Sequence, residues 1–172
     1  PIALLVILGY SYTKRFTALC HLILGLGLSL SPIGAYLAVT AQFDILPLLF
    51  SFIVLFWVSG FDIIYALQDE SFDKQFNLHS IPVLLGQKNA LSFSKLMHFI
   101  TVAIILFIGI NYFPNSTLFW TGTTLFIGLL INQHRLVKPD DLSKINLAFF
   151  TNNGIASLIF GSLIVIELIT NN

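Results

Sequence analysis

Residues 45–74 read ILPLLFSFIVLFWVSGFDIIYALQDESFDK. The first part of this stretch, residues 45–61, contains no charged side chain, and the acidic residues begin at Asp62. A helix that crosses a membrane needs about 20 mostly apolar residues, because the hydrocarbon layer is about 30 Å thick. The stretch therefore predicts a transmembrane helix that becomes polar and acidic at one end.

The composition of the whole chain agrees with that prediction. The chain has 172 residues, of which 56% are hydrophobic and 9% are charged, whereas soluble domains contain about 25% charged residues. Eight Lys and Arg residues balance eight Asp and Glu residues, so no excess of basic charge is available for nucleic acid. This composition is typical of an integral membrane protein and excludes a soluble globule and a nucleic-acid-binding protein.

The other charge-free stretches predict further spans. They are residues 16–43, two stretches between Lys95 and Arg135 that the turn-forming residues 111–116 separate, and residues 145–166. With residues 45–61 they make five complete helices, after an incomplete first helix at residues 1–9. We therefore expect an all-α, polytopic transmembrane helix bundle. Because the chain opens on an apolar run without an initiator methionine, we interpret it as a fragment that starts inside a membrane helix.

The basic residues indicate an orientation. When the chain is followed through these spans, all eight basic residues fall on one face of the membrane, and no Lys or Arg falls on the other. Basic loops stay in the cytoplasm, so we expect this face to be cytoplasmic and the C-terminus to lie on the opposite side. The eight residues are Lys14, Arg15, Lys74, Lys88, Lys95, Arg135, Lys138 and Lys144.

Three acidic residues have the spacing of one helix face. On a continuous helix, Asp69 and Asp73 would each lie about 20° from Asp62, on either side of it. Acidic groups at a membrane are costly, and Mg²⁺, which prefers oxygen ligands, would offset their charge. The alternative is a solvated helix end balanced by Lys74, and we adopt that interpretation for Glu70, which points away from the other acids.

Basic and phenolic side chains are expected on the same membrane face. Tyr10 and Lys14 lie one helical turn apart and so share a side of the helix, and Arg15 follows directly. A phenol, an ammonium and a guanidinium beside a metal site suit a diphosphate, whose oxygens need cations and hydrogen-bond donors. The alternative is that these basic residues only anchor the chain at the cytoplasmic surface.

These residues resemble a known family, the UbiA family of intramembrane prenyltransferases, and within it the 4-hydroxybenzoate polyprenyltransferases. Three stretches carry the resemblance: residues 10–17 followed by Leu24-Gly25, residues 62–73 followed by Ser80, and Asn152-Asn153. The middle stretch is the most specific, because it resembles the family's second Asp-rich motif, in which Asp-x-x-Tyr-Ala precedes Asp-x-x-x-Asp. The likeness implies the C-terminal part of a nine-helix fold.

The resemblance implies Mg²⁺-dependent transfer of a polyprenyl group from polyprenyl diphosphate to an aromatic acid, most simply 4-hydroxybenzoate. It places this reaction in ubiquinone or menaquinone biosynthesis, at the cytoplasmic face of a bacterial inner membrane. Asp69 and Asp73 resemble the metal ligands of the second motif. Asp62 and Tyr65 resemble its supporting positions and are the candidate catalytic residues. The remaining candidates would contact the diphosphate, and they are Tyr10, Lys14 and Arg15.

One departure from the family is plain. The first Asp-rich motif, Asn-Asp-x-x-Asp-x-x-x-Asp, is absent, and no Asn-Asp dipeptide occurs in the chain. We therefore expect residues 1–172 to be the C-terminal part of a single transmembrane domain whose N-terminal helices carry that motif. On this interpretation the 172-residue chain alone has no prenyl transfer activity.

Two alternative functions remain open. One is prenyl transfer to another aromatic acid of the menaquinone route. The other is an ion-coupled transporter subunit in which Asp62 and Asp69 bind an ion and Pro32 interrupts a helix. A transport site would lie near the bilayer midplane, whereas Asp69 and Asp73 are expected at the rim.

Smaller features allow two interpretations each. The small residues at 25, 27, 29, 31 and 34 favour close helix packing over a substrate groove. Asn152 and Asn153 favour hydrogen bonds between helices over a place in the pocket. The four histidines show no ligand spacing and are assigned no metal.

Overall fold

The computed structural model describes residues 2–170, and within them the chain forms seven α-helices. A 3₁₀ turn at Leu67–Asp69 joins α3 to α4, and a π-helical segment at Leu147–Asn152 leads into α7. The helices are α1 Ile2–Thr13, α2 Cys20–Thr40, α3 Ile45–Ala66, α4 Glu70–Gln75, α5 Ile81–Tyr112, α6 Thr117–Leu136 and α7 Asn153–Thr170.

The predicted all-α membrane bundle is confirmed. Among the described residues, four helical stretches are long and apolar enough to cross a membrane: Cys20–Thr40, Ile45–Gln75, Ile81–Tyr112 and Leu147–Thr170. The fourth predicted span, the second of the two between Lys95 and Arg135, corresponds to α6, whose 20 residues rise about 30 Å but include polar residues such as Asn132 and Gln133. The predicted incomplete first helix corresponds to α1, and Pro1 lies outside the described residues.

Side-chain caps explain where three of the helices begin. Asp44 accepts a hydrogen bond from the Leu46 N–H at the start of α3, Ser80 accepts one from Val83 at the start of α5, and Ser116 accepts one from Phe119 at the start of α6. Such caps satisfy N–H groups that have no partner inside the helix. Within α5 the helix is kinked at Gly86, whose φ of +75° lies in the left-handed region that glycine tolerates.

Close approach of two helices explains part of the small-residue row. A Cβ atom at Gly25 would overlap the Ser59 hydroxyl and lie 2.5 Å from the Leu55 carbonyl oxygen, so α2 packs directly on α3 there. Gly27 and Ser29 are also buried, whereas Gly34 has no neighbour within 4 Å of an added Cβ. The row thus packs helices over its first half, as small residues do in membrane bundles.

Two apolar clusters place α3 at the centre of the bundle. One cluster surrounds Ile63, Ile64 and Leu67 and includes residues of α5 and the α6–α7 connection. The other contains Ile53 of α3 and residues of α5, α6 and α7, including the buried rings of Phe119 and Phe126. Because α3 contributes to both clusters, its acidic end is held by packing on several sides.

Candidate active site

A cavity of about 230 Å³ opens where α1, α2 and α3 meet. It contains two carboxylates, an ammonium group, an imidazole and two phenols. A larger cavity of about 600 Å³ lies at the α5–α6 turn, but its lining has one acidic side chain, Glu167, and no basic one. The smaller cavity is therefore the candidate site, and it is lined by Tyr10, Ser11, Lys14, Cys20, His21, Leu24, Asp62, Tyr65, Ala66 and Asp69.

The structure brings together five of the seven predicted site residues. Tyr10, Lys14, Asp62, Tyr65 and Asp69 all line the cavity, although they come from two stretches about 50 residues apart. The two remaining predicted residues lie elsewhere. The predicted pairing of a basic N-terminal stretch with an acidic stretch is thus present, but Arg15 and Asp73 do not line the cavity.

The expected continuous acidic face is wrong in its geometry. The α-helix ends at Ala66, and residues 67–69 form a 3₁₀ turn before α4 begins at Glu70. A 3₁₀ turn advances about 120° per residue instead of about 100°, so three such residues rotate the next helix by about 60°. Asp69 therefore stays at the cavity, while Asp73 turns away from it.

Asp73 is buried within the protein rather than exposed at the cavity. Its side chain is fully buried, and its Oδ1 lies 2.8 Å from Lys14 Nζ. Its Oδ2 is buried and has no hydrogen-bond partner among the described residues. The backbone supports the same junction, because the His79 N–H donates to the Lys14 carbonyl at 2.7 Å. Lys14 thus lines the cavity, and its ammonium group is paired with the buried carboxylate of Asp73.

Asp62 has a partner that the sequence did not reveal. His21 is buried, and its Nδ1 lies 2.7 Å from Asp62 Oδ2. The other ring nitrogen, Nε2, accepts a 3.4 Å hydrogen bond from the Ile81 N–H, which assigns the Nδ1 atom as the donor to Asp62. His21 lies seven residues after Lys14 in an apolar run. A polar, ionisable side chain in a predicted span was the signal that would have indicated it.

Arg15 does not line this cavity. Its guanidinium lies 5.5 Å from the centre of the Tyr12 ring, and its side chain borders a separate open cavity beside Phe72 and Phe76. Glu70 forms an ion pair with Lys74 at 2.6 Å, in which the Lys74 side chain is 56% exposed and the Glu70 side chain 13%. The expected balance of Glu70 by Lys74 is thus present, with Glu70 largely covered and Arg15 exposed at the surface.

The asparagines of the last span link helices. Asn152 donates from Nδ2 to the Leu129 carbonyl at 3.4 Å and accepts from Asn132 at 3.4 Å. Asn153 accepts a 3.4 Å hydrogen bond from Gln133. Neither asparagine lines the cavity, so their geometry supports the interpretation as hydrogen bonds between α6 and the last span.

The carboxylates can be tested as holders of a metal ion. Among residues 2–170, no group of three or more His, Cys, Asp or Glu side chains is arranged to hold a metal ion. Asp69 presents a half-buried carboxylate to the cavity, whereas the fully buried carboxylate of Asp73 is paired with Lys14 and does not line it. Mg²⁺ commonly takes one or two carboxylates and completes its shell with water and substrate phosphates. The donor set fits that mode of binding, and does not fit a cage made by this chain alone.

Comparison with known proteins identifies relatives over most of the chain. A 4-hydroxybenzoate octaprenyltransferase of Francisella tularensis subsp. novicida is 28% identical over 159 residues, which are 92% of this chain and 55% of the relative. A 4-hydroxybenzoate octaprenyltransferase of Nitrosomonas europaea is 28% identical over 95% of this chain and 55% of its own length. The chain thus spans about half the length of these curated relatives.

A solved structure shares the arrangement of helices. The apo structure of a UbiA homolog from Aeropyrum pernix K1 superposes with a TM-score of 0.82 and 30% identity, and the match covers 98% of this chain and 62% of that one. In addition, residues 1–154 match the model of the UbiA prenyltransferase family. This match takes in every residue that lines the candidate site. The chain belongs to the UbiA prenyltransferase family.

Proposed function

We propose that this chain forms one side of the active site of a Mg²⁺-dependent membrane prenyltransferase. The reaction transfers a polyprenyl group from polyprenyl diphosphate to a ring carbon of an aromatic acid, 4-hydroxybenzoate, for quinone biosynthesis. One observation carries the proposal: the cavity joins Lys14 and Tyr10, which suit a diphosphate, to Asp62 and Asp69, which suit a cation. Family membership and the names of the relatives support it.

The residues of the cavity divide the chemistry between them. Lys14 and Tyr10 would donate to diphosphate oxygens, and the carboxylate of Asp73 holds the Lys14 ammonium in place. Asp69, which lines the cavity, would be the Mg²⁺ ligand from this chain. Asp73, for which the resemblance implied the same role, is fully buried against Lys14 and would act through that ammonium group instead. When bound, the ion neutralises charge on the leaving diphosphate. Asp62, fixed by His21, and Tyr65 would border the reacting end of the prenyl group.

The bond changes balance without a further reactant. The allylic C–O bond breaks and its electron pair leaves with the diphosphate, so a carbocation remains on the prenyl group. An electron-rich ring carbon of the acceptor forms the new C–C bond, and the ring proton passes to the released diphosphate. A site that excludes water protects the cation from hydrolysis, and donors placed at the leaving group stabilise the charge that develops there.

The position of the acids favours an enzyme over a transporter. Asp69 lies beyond the last residue of α3, at the end of the apolar stretch. Pro32 lies inside α2, which continues as one helix from Cys20 to Thr40, so the discontinuous helix expected of many transport sites does not occur there. The helix geometry thus supports the prenyltransferase proposal.

We also propose that the chain corresponds to the C-terminal part of a longer domain. The first Asp-rich motif of the family is absent from the sequence, and the match covers 55% of the Francisella relative. The N-terminal part of that relative, fused before residue 1, would supply the missing helices. We refer to this hybrid protein as the fusion.

Binding and turnover test the proposal together. The 172-residue chain in detergent should bind geranyl diphosphate with Mg²⁺ in calorimetry, and show no turnover. The fusion should prenylate 4-hydroxybenzoate, and Asp69→Asn should lower its rate at least about 100-fold. Asp141→Asn, in an exposed loop, is the matched control. Absence of prenylated product from the fusion, or full activity of its Asp69→Asn variant, would contradict the proposal.

The acceptor and the orientation are tested separately. Other aromatic acids of the menaquinone route, offered to the fusion beside 4-hydroxybenzoate, would show whether one of them is preferred.

The excess of basic residues on one face supports a cytoplasmic site at the bacterial inner membrane. Cysteines introduced at Lys138 and Gln42, both exposed, should react with an impermeant label from the cytoplasmic and the outer side respectively, and the reverse pattern would refute this orientation.

A further inference from the structure

The last span opens with an irregular segment that faces the candidate site. Residues Leu147–Asn152 form a π-helix, after which α7 continues as a regular α-helix. π-Helical turns are rare, and they occur frequently at functional sites because they displace side chains from the regular helical positions. This segment carries Phe149, which does not line the cavity and to which the sequence pattern assigns no role.

Phe149 packs directly on a residue of the cavity wall. Its ring is stacked on that of Tyr65, with centroids 4.1 Å apart and planes inclined by 28°. Phe61 meets Phe149 edge-on at 5.4 Å, and Phe150 contacts Tyr65 edge-on at 6.0 Å. One face of the Tyr65 ring is therefore covered by Phe149, and Tyr65 cannot rotate without losing the stacked contact.

The π-helical segment is itself held from α6. The buried amide of Gln133 donates to the Ala148 carbonyl at 3.0 Å, inside the π-helix and directly before Phe149. Asn152, the last residue of the segment, donates to the Leu129 carbonyl at 3.4 Å. Unbroken contacts thus lead from α6 to Ala148, from Phe149 to Tyr65, and from Tyr65 to the cavity.

We propose that Phe149 is a positioning residue for the prenyl transfer, acting by holding the Tyr65 ring in place at the cavity wall while Gln133 fixes the π-helical turn that presents it. This inference rests on the proposed function. Diphosphate binding would depend on Lys14 and Tyr10, whereas the ring contacts of Phe149 are with Phe61, Tyr65 and Phe150, so loss of Phe149 should affect the chemical step more than binding. The positioning of groups beside the reacting atoms acts mainly on kcat.

The first test measures the position of Tyr65 without any substrate. The chain is labelled with 3-fluorotyrosine, and the Tyr65 signal in its fluorine NMR spectrum is assigned from Tyr65→Phe. Phe149→Ala should shift that signal, because the ring current of the stacked neighbour is lost, and Gln133→Leu should shift it as well. Phe149→Trp keeps an aromatic partner and should leave the signal near its original position. An unchanged Tyr65 signal in Phe149→Ala would overturn the proposal.

The second test measures turnover in the fusion. Phe149→Ala should lower kcat about tenfold with the KM for geranyl diphosphate changed less than about twofold, and Phe149→Trp should restore most of the rate. Leu147→Ala, on the exposed side of the same π-helix, is the matched control and should keep the original kcat. Wild-type kcat in Phe149→Ala, or no recovery in Phe149→Trp, would refute the positioning role.

The two tests separate the inference from the function on which it rests. If the unmodified fusion forms no prenylated product, the proposed function fails, and the fluorine spectrum of the chain still decides whether Phe149 positions Tyr65. If the unmodified fusion is active and Phe149→Ala is equally active, the proposed function stands and the positioning role is refuted.

Discussion

Two pairs of side chains inside the bundle contain histidine. The distance between the paired atoms is nearly the same in both, but the surroundings differ. At the cavity, His21 Nδ1 lies 2.7 Å from a carboxylate oxygen of Asp62. In the interior, His98 Nδ1 lies 2.8 Å from His134 Nε2, and His98 Nε2 lies 3.3 Å from the Trp57 carbonyl. His21 and Asp62, the outer pair, both line the cavity, whereas His98 and His134, the inner pair, do not line it.

The comparison separates a functional polar group from one that joins helices. The inner pair connects α3, α5 and α6, and Gly60 provides its space, because an added Cβ there would overlap the His98 ring. The Ser94 hydroxyl donates to the Gly60 carbonyl at 2.6 Å beside it. The outer pair and the neighbouring Lys14–Asp73 pair instead present charged groups to open space. Removing groups from each region should therefore affect different properties.

The largest effect is expected at the Lys14–Asp73 pair. Lys14→Met leaves the fully buried Asp73 carboxylate without its cation, and breaking a buried pair in this way costs about 3 to 5 kcal/mol. Lys14 is 28% exposed, so we expect a value near the lower end, measured as a loss in the free energy of unfolding in detergent. Binding of geranyl diphosphate should weaken in the same variant.

A double variant provides the control for that loss. Lys14→Met with Asp73→Leu removes both charges, and the stability should recover by more than half, because the cost arises from the unpaired carboxylate. Diphosphate binding should not recover, because the ammonium remains absent. A double variant as unstable as Lys14→Met would show that Lys14 stabilises the bundle by packing rather than by charge.

The inner pair should affect stability alone. His98→Leu removes the hydrogen bond to His134, whose Nδ1 already has no partner among the described residues. The ring nitrogens of His134, left without hydrogen-bond partners, are expected to lower the free energy of unfolding by about 1 to 3 kcal/mol. The dissociation constant for geranyl diphosphate should stay the same in calorimetry. A change in that dissociation constant would show that the inner pair influences binding at the site, and would contradict the distinction between the two regions.

The outer pair, His21 and Asp62, should affect the binding of the diphosphate. His21→Leu frees Asp62, which is partly exposed, to turn toward the diphosphate and repel it, so binding should weaken about tenfold. His21→Gln keeps a donor for Asp62 and should recover part of the affinity. His79→Leu, in the exposed connection before α5, is the control and should bind as the original chain does. Equal binding by all three variants would contradict a role for His21 at the site.

The same contrast explains what could be predicted from the sequence. The spans follow from runs of apolar residues that a bilayer requires, and the cavity residues Lys14 and Asp69 follow from charge types that suit a diphosphate and a cation. The burial of Asp73 could not be predicted, because the 3₁₀ turn at Leu67–Asp69 rotates the acids beyond it. Leu67 of this turn is buried in an apolar cluster with residues of other helices, and a helical-wheel argument assumes that the turn is absent.

Partners distant in sequence were also beyond prediction. His21 meets Asp62 from 41 residues away, and Phe149 meets Tyr65 through a π-helix that no local residue preference reveals. Periodicity identifies which face of a helix is polar, but it does not identify which side chain of another helix touches that face. The residues with the plainest chemistry were therefore predicted, and the residues that orient them were found only in the structure.

The smallest effect is expected at an aspartate surrounded by water. Asp141, in the loop between α6 and the last span, accepts hydrogen bonds from the Ser143 hydroxyl at 2.6 Å and from the Ser143 N–H at 3.0 Å, and these lower its pKa below the ordinary value. Ser143→Ala removes the stronger contact and should raise the pKa part of the way back, as measured by carbon NMR titration of the carboxyl.

The sign of the stability change is set by the direction of that shift. A carboxyl whose pKa is lowered by folding stabilises the protein above its unfolded pKa of about 3.9, and that contribution is lost as the pH falls through the folded pKa. Ser143→Ala should therefore reduce stability slightly at neutral pH and not at all in strong acid. Asp141 is fully exposed, so water screens the effect. A loss as large as that of Lys14→Met would mean that burial is not what separates Asp73 from an ordinary surface aspartate.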